Sequence, residues 1–166
     1  MHSMASSLDR VPIAPLVLRV VLGALFIWHG IDKFDAGIEN VEGAFRMWGV
    51  PAPALAAPVV AVVEIVGGAA LILGLLTRVA AVALGVVLVG ALLWAKDILT
   101  SDGTGIISST PVPGAEVDLA YLAGLIALVL LGPGWWSVDA RIGLEPGTGR
   151  EMSGAERDRR PTAISG

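Results

Sequence analysis

Glu64 is the single charge in the apolar run from Pro58 to Leu76. A carboxylate so placed can bind a cation, accept a proton or hold the polar head of a ligand, because a charge among apolar side chains persists only with a partner. His29 and Lys33 stand near the end of an earlier apolar run, four residues apart, so a helix puts them on one face. Imidazole titrates near neutral pH, and an ammonium offers three donors. Glu116 and Asp118 open the last apolar run. These five residues are the candidate ligand or proton-relay groups. The same residues also suit ion pairs that only hold helices in register.

A second group is Arg19, Arg78 and Asp139. Arg19 lies about a turn and a half inside its apolar run, and Asp139, just past the last run, is a candidate partner for it. A long arginine side chain can also reach back toward lipid head groups. Structural anchoring is the expected role of this group.

Other chemistries are excluded or disfavoured. The 166 residues include no cysteine, which excludes intrinsic thiol–disulfide exchange, persulfide transfer and Fe–S clusters. One internal histidine without a second one argues against haem. Neither HxxxH nor ExxH spacing occurs, so no metal site is expected. A net charge of −4 argues against nucleic acid as a partner. No intrinsic cofactor is expected.

The elements that must position these groups follow from the solvent. Hydrophobic residues make up 55% of the chain and charged ones 16%, against about a quarter charged in soluble domains. Mean hydropathy is +0.77. The apolar residues fall in four blocks, giving spans over 13–31, 58–76, 79–97 and 117–134, each near the length that crosses a hydrocarbon core. Backbone groups in lipid must pair internally, so the blocks are helices. The expected fold is an all-α integral membrane four-helix bundle.

Four crossings put both termini on one side. That side carries Arg10, Arg19, Arg78, Arg141, Arg150, Arg157, Arg159 and Arg160, and the other only Lys33, Arg46 and Lys96. The positive-inside bias therefore predicts cytoplasmic termini. Trp28 and Trp94 then fall at outer helix ends, and Trp135 and Trp136 at an inner one, where amphipathic rings settle. In this frame Glu64 lies roughly 9 Å below the outer end of its helix. In the first outer loop Ile38, Val41, Phe45 and Trp48 recur at helical spacing, which predicts a short interfacial helix ended by Gly49, Pro51 and Pro53. The loop from Asp97 to Gly114 reads as irregular. Residues 1–12 read as a cytoplasmic N-terminal segment, 13–143 as the helical domain, and 144–166 as a disordered cytoplasmic tail.

Small residues recur in the spans: Gly23 and Gly30, then Gly67, Gly68 and Gly74, then Ala81 and Gly85, then Ala120 and Gly124. Such positions let helix backbones approach closely in lipid. Gly68 is one turn from Glu64 on the same face, so the acid is expected to face the bundle interior. Close packing is the expected use of Gly68, and a slot for a flat quinone ring is the alternative.

Arg19, the His29-Gly30-x-x-Lys33-Phe34 segment and Gly49-Val50-Pro51 stand in a recognisable order with Glu64-x-x-Gly67-Gly68 and Gly74-Leu75-Leu76-Thr77-Arg78. Glu116 with Tyr121, and Gly132-Pro133-Gly134-x-x-Ser137-x-Asp139, complete the series. Over residues 13–142 this pattern resembles the DoxX family of small four-helix bacterial membrane proteins. The resemblance implies a bacterial inner-membrane location and association with oxidoreductase complexes that handle oxidative stress and thiosulfate. A distant relative is described as a subunit of a thiosulfate:quinone oxidoreductase. Without cysteine, sulfur chemistry would have to come from partner proteins or from the substrate. The expected function is therefore the membrane subunit of a redox assembly, with a quinone or lipid site in the outer half near Glu64, His29 and Lys33. Its expected partners are the lipid bilayer and membrane or soluble redox proteins. An anchor or quinone-facing subunit is favoured over a self-sufficient catalyst. A non-catalytic scaffold, a homo-oligomer and a small-solute or proton-coupled permease are the alternatives.

Overall fold

The computed structural model describes residues 13–95 and 114–143. They form six α-helices: α1 Ala14–Asp35, α2 Ile38–Met47, α3 Pro53–Leu73, α4 Thr77–Gly90, α5 Ala115–Leu131 and α6 Val138–Ile142. A π-helical turn, Ala91–Ala95, continues α4. No strand occurs among the described residues. The expected N-terminal segment, the irregular loop beyond the third span and the C-terminal tail lie outside them.

Proline opens two of the long helices, Pro15 in the first turn of α1 and Pro53 at the first position of α3, where a missing N–H loses no intrahelical bond. α1, α3 and α4 with its π-turn are long and apolar enough to cross a membrane. α5, with 17 residues, is at the short end of the spanning range. Neighbours pack in the cyclic order α1, α3, α4, α5, with α5 closing on α1. Leu22, Phe26, Leu71, Leu84, Leu88, Leu125 and Leu128 fill the centre. The perimeter is apolar too: Val21, Val62, Val66, Val86, Ile126 and Leu130 are exposed. So continuous an apolar surface matches hydrocarbon, not water. The chain is a helical membrane bundle.

Lipid supplies no hydrophobic drive for helix association, so close approach must do that work. A Cβ built on Gly23 would stand 2.6 Å from the carbonyl oxygen of Gly68, and the converse distance is also 2.6 Å. α1 and α3 thus meet backbone to backbone. Ile27 covers Gly68 from the α1 side, so this glycine serves packing, and the space a flat ring would need is occupied.

The second span starts earlier than its composition suggests. α3 opens at Pro53, and Pro58 lies inside it, because bundle neighbours and local adjustment let a membrane helix tolerate a proline that would end a soluble one. Glu64 is consequently about 16 Å from the helix start, near its midpoint. α2 packs mainly against α3.

Candidate functional site

Polar side chains gather at both ends of the bundle. At the end bearing α2, the Lys33 ammonium donates to Glu64 Oε1 at 2.8 Å and Oε2 at 2.6 Å. Lys33 also reaches the His29 carbonyl at 3.4 Å. The pair is positioned by Gly30, one turn earlier on α1. A Cβ there would stand 2.8 Å from the Ala61 carbonyl, so its absence lets α1 settle onto α3 within reach of Glu64. The Glu64 side chain is 7% exposed and that of Lys33 22%, so the acid is inside and the ammonium bridges it to the surroundings.

His29 is exposed and stands one turn before Lys33 on the same face of α1. Its ring centroid lies 6.3 Å from that of Tyr121, which in turn lies 6.2 Å from Phe26. Glu116 and Asp118 occupy the first turn of α5, where the helix dipole favours acids. Glu116 is exposed and Asp118 half-buried. The fold therefore joins Lys33 to Glu64, sets His29 beside them, and leaves the two α5 acids at the same end. A π-turn continues α4 beyond the level of the pair. Gly67 faces Leu84 across α3 and α4, so antiparallel register sets the π-turn 91–95 level with the region around Pro58.

The opposite end, bearing α6, is built differently. Arg19, 1% exposed, donates through Nε to the Leu71 carbonyl at 3.0 Å and through Nη2 to the Trp136 carbonyl at 2.8 Å. It also donates to the carbonyls of Pro133 and Ile72. Leu71 and Ile72 belong to the last turn of α3, whose dipole favours a cation; the Leu71 carbonyl also accepts the Gly74 N–H at 3.1 Å. Asp139, fully buried, accepts from the backbone N–H of Leu76 at 2.7 Å and of Thr77 at 2.9 Å, and from the Thr77 hydroxyl at 3.0 Å. It caps the start of α4.

The α3–α4 turn explains the arrangement. Gly74 takes φ 69 at the end of α3, and the Leu75 N–H bonds back to the Ala70 carbonyl at 2.9 Å. Leu76 has φ 49, a conformation disfavoured for a residue with a Cβ, and Asp139 holds it there. The Asp139 N–H in turn donates to the Gly74 carbonyl at 2.9 Å. Ser137 caps α6 by accepting from the Ala140 N–H at 3.1 Å. Arg19 and Asp139 attract one another, but each takes its hydrogen bonds chiefly from backbone, instead of forming the ion pair anticipated for them. The third member, Arg78, is exposed and donates to the Val129 carbonyl at 3.0 Å.

Among the described residues no three His, Asp or Glu side chains are grouped to hold a metal ion. A cavity of about 240 Å³ lies between α4 and α5, apart from the Lys33–Glu64 pair.

The DoxX family profile matches residues 14–97, the stretch that holds Arg19, His29, Lys33, Glu64 and Arg78. The chain belongs to the DoxX family. It is similar to an uncharacterized membrane protein of Mycobacterium tuberculosis, 39% identical over 79% of this chain and 82% of that protein. It is also similar to a Bacillus subtilis protein named "Putative oxidoreductase CatD", 30% identical over 76% of this chain and 85% of the relative. An uncharacterized protein of Haemophilus influenzae is 34% identical over 74% of this chain and 85% of its own length. No solved structure matches this DoxX chain.

Three contributors escaped the reading of the candidate sites from sequence. Tyr121 was legible as an aromatic in an apolar helix but not as the neighbour of His29. Thr77 and Ser137 carried the usual signal of hydroxyl residues at helix starts, yet nothing local says that both serve one junction.

Proposed function

We propose that this DoxX-family chain is the membrane subunit of a redox assembly, and that its Lys33–Glu64 pair engages the polar head of a quinone. The observation that carries this reading is the pair itself. Glu64 lies inside the bundle with acceptor capacity to spare, Lys33 reaches toward the surroundings, and His29, one turn before Lys33 on α1, has its ring 6.3 Å from that of Tyr121. A carboxylate has about four acceptor positions, and the described donor to Glu64 is Lys33. A quinone carbonyl can accept from the ammonium, and a quinol hydroxyl can donate to the carboxylate. The name of the Bacillus subtilis relative supports a redox context. With no cysteine in the chain, electrons would pass through the bound ring and through centres on membrane or soluble partner proteins.

Protein purified in native lipid should carry quinone, measured by extraction and chromatography, and Glu64→Gln should lose it. Absence of quinone from both samples, or equal occupancy in both, overturns the reading. The same proposal sets the bundle in a bacterial inner membrane with the α6 end cytoplasmic, as the Lys and Arg distribution suggests. A chain without cysteine suits substituted-cysteine labelling. Arg141→Cys should react from the cytoplasm and Met47→Cys from outside, and the reverse pattern overturns that orientation.

A further inference from the structure

The cavity between α4 and α5 is lined entirely by apolar residues, among them Ala81, Gly85, Leu122, Ile126, Val129 and Leu130. Ile126 and Leu130 are exposed, so the cavity is a groove open to the surrounding lipid. Ala81 and Gly85 give it depth. Its α5 wall, from Leu122 to Leu130, runs about 12 Å along the helix axis, close to the ~15 Å thickness of one leaflet's hydrocarbon. One acyl chain fits such a length.

The end of the groove nearest α6 is cationic. Arg78 precedes Val82, another lining residue, by one helical turn on the same face. Its Nε bond to the Val129 carbonyl sets the guanidinium against the groove's end. Arg141, Trp135 and Trp136 are exposed at this end of the bundle, and indoles settle at the depth of lipid head groups. Among the described residues there, the exposed charges are Arg78 and Arg141, while the acid Asp139 is buried in the α3–α4 junction. We propose that this groove binds an anionic phospholipid, with one acyl chain between α4 and α5 and the phosphate against Arg78. Guanidinium and phosphate match in charge and in hydrogen-bonding geometry. The phosphate end of the groove is at the opposite end of the bundle from the Lys33–Glu64 pair, and the groove faces lipid between α4 and α5 while the pair joins α1 to α3, so either proposal can stand without the other.

The test uses the full chain in detergent, incubated with phosphatidylglycerol or phosphatidylcholine of identical acyl chains, with retained lipid counted by native mass spectrometry. Phosphatidylglycerol should be retained about fivefold better for the cation it meets, and Arg78→Gln should remove that preference. Gly85→Leu should fill the groove and abolish retention. Gly85→Ala should keep it, since a Cβ at this position meets Leu122 at an ordinary 3.7 Å. If Gly85→Leu does not fold, Ile126→Trp blocks the groove from its exposed side and carries the same expectation. Equal retention of the two lipids, or a preference that survives a filled groove, overturns the proposal. So does a dimer that Gly85→Leu dissociates, since a second copy would then occupy the groove.

Discussion

The two ends of this bundle use buried charge in opposite ways. At the α6 end Arg19 and Asp139 are each bound by several groups of the backbone, so that four carbonyls meet the guanidinium and three donors meet the carboxylate. At the α2 end Lys33 and Glu64 face one another. A charge spread over many fixed backbone atoms cannot exchange partners without dismantling helix ends. A lysine on a flexible stem can turn from one acceptor to another. The first arrangement is a joint, and the second is a pair whose lysine can exchange partners.

The largest expected effect tests the joint. Asp139→Ala removes three acceptor contacts and the countercharge nearest Arg19, and should cost about 3–5 kcal/mol, as loss of one member of a buried charged set does. The denaturation midpoint in detergent measures it. A loss below about 1 kcal/mol would erase the distinction between the ends. Next comes the α1–α3 contact on which the α2-end pair depends. Gly68→Ala forces a methyl against the Gly23 carbonyl and should destabilise by about 1–3 kcal/mol, while lengthening the Lys33–Glu64 separation in a structure of the variant.

Glu64→Gln is expected to cost less, about 1 kcal/mol, because the amide still accepts a hydrogen bond from Lys33 and the lysine can turn outward. Its principal consequence should be lost quinone, so stability and occupancy measured on one sample separate structural pairing from ligand binding. A stability loss as large as that of Asp139→Ala would make the α2 end a second joint. The smallest effect belongs to the Glu42–Arg46 pair of α2, in which Arg46 is exposed and Glu42 half-buried. Glu42→Gln should change stability by less than about 0.5 kcal/mol, and a larger change would show that α2 contributes more than its partly exposed position suggests.

Much of the scaffold was legible in the residues. Apolar runs with isolated charges announced membrane helices, and the spacing of Ile38, Val41, Phe45 and Trp48 announced the short helix α2. Pro58 misplaced the start of α3, because a proline that looks like a boundary can lie within a supported membrane helix. Glu64 was recognisable as an isolated acid and Lys33 as a cation near a helix end. Their pairing needed the glycine contacts that fix how α1 lies on α3.

By itself the sequence determined the bilayer as solvent, the helices, and the separation of polar groups toward two ends, because composition and periodicity act over one or a few turns. The partner of each charge was decided only in three dimensions. Arg19 meets carbonyls 52 to 117 positions away along the chain, and Asp139 caps a helix that begins 62 residues before it. Such contacts exist only once the α3–α4 turn and α6 close over the start of α1. At the other end, missing side chains at Gly23, Gly30 and Gly68 let two backbones touch, and that approach turns an isolated acid and a nearby lysine into a pair.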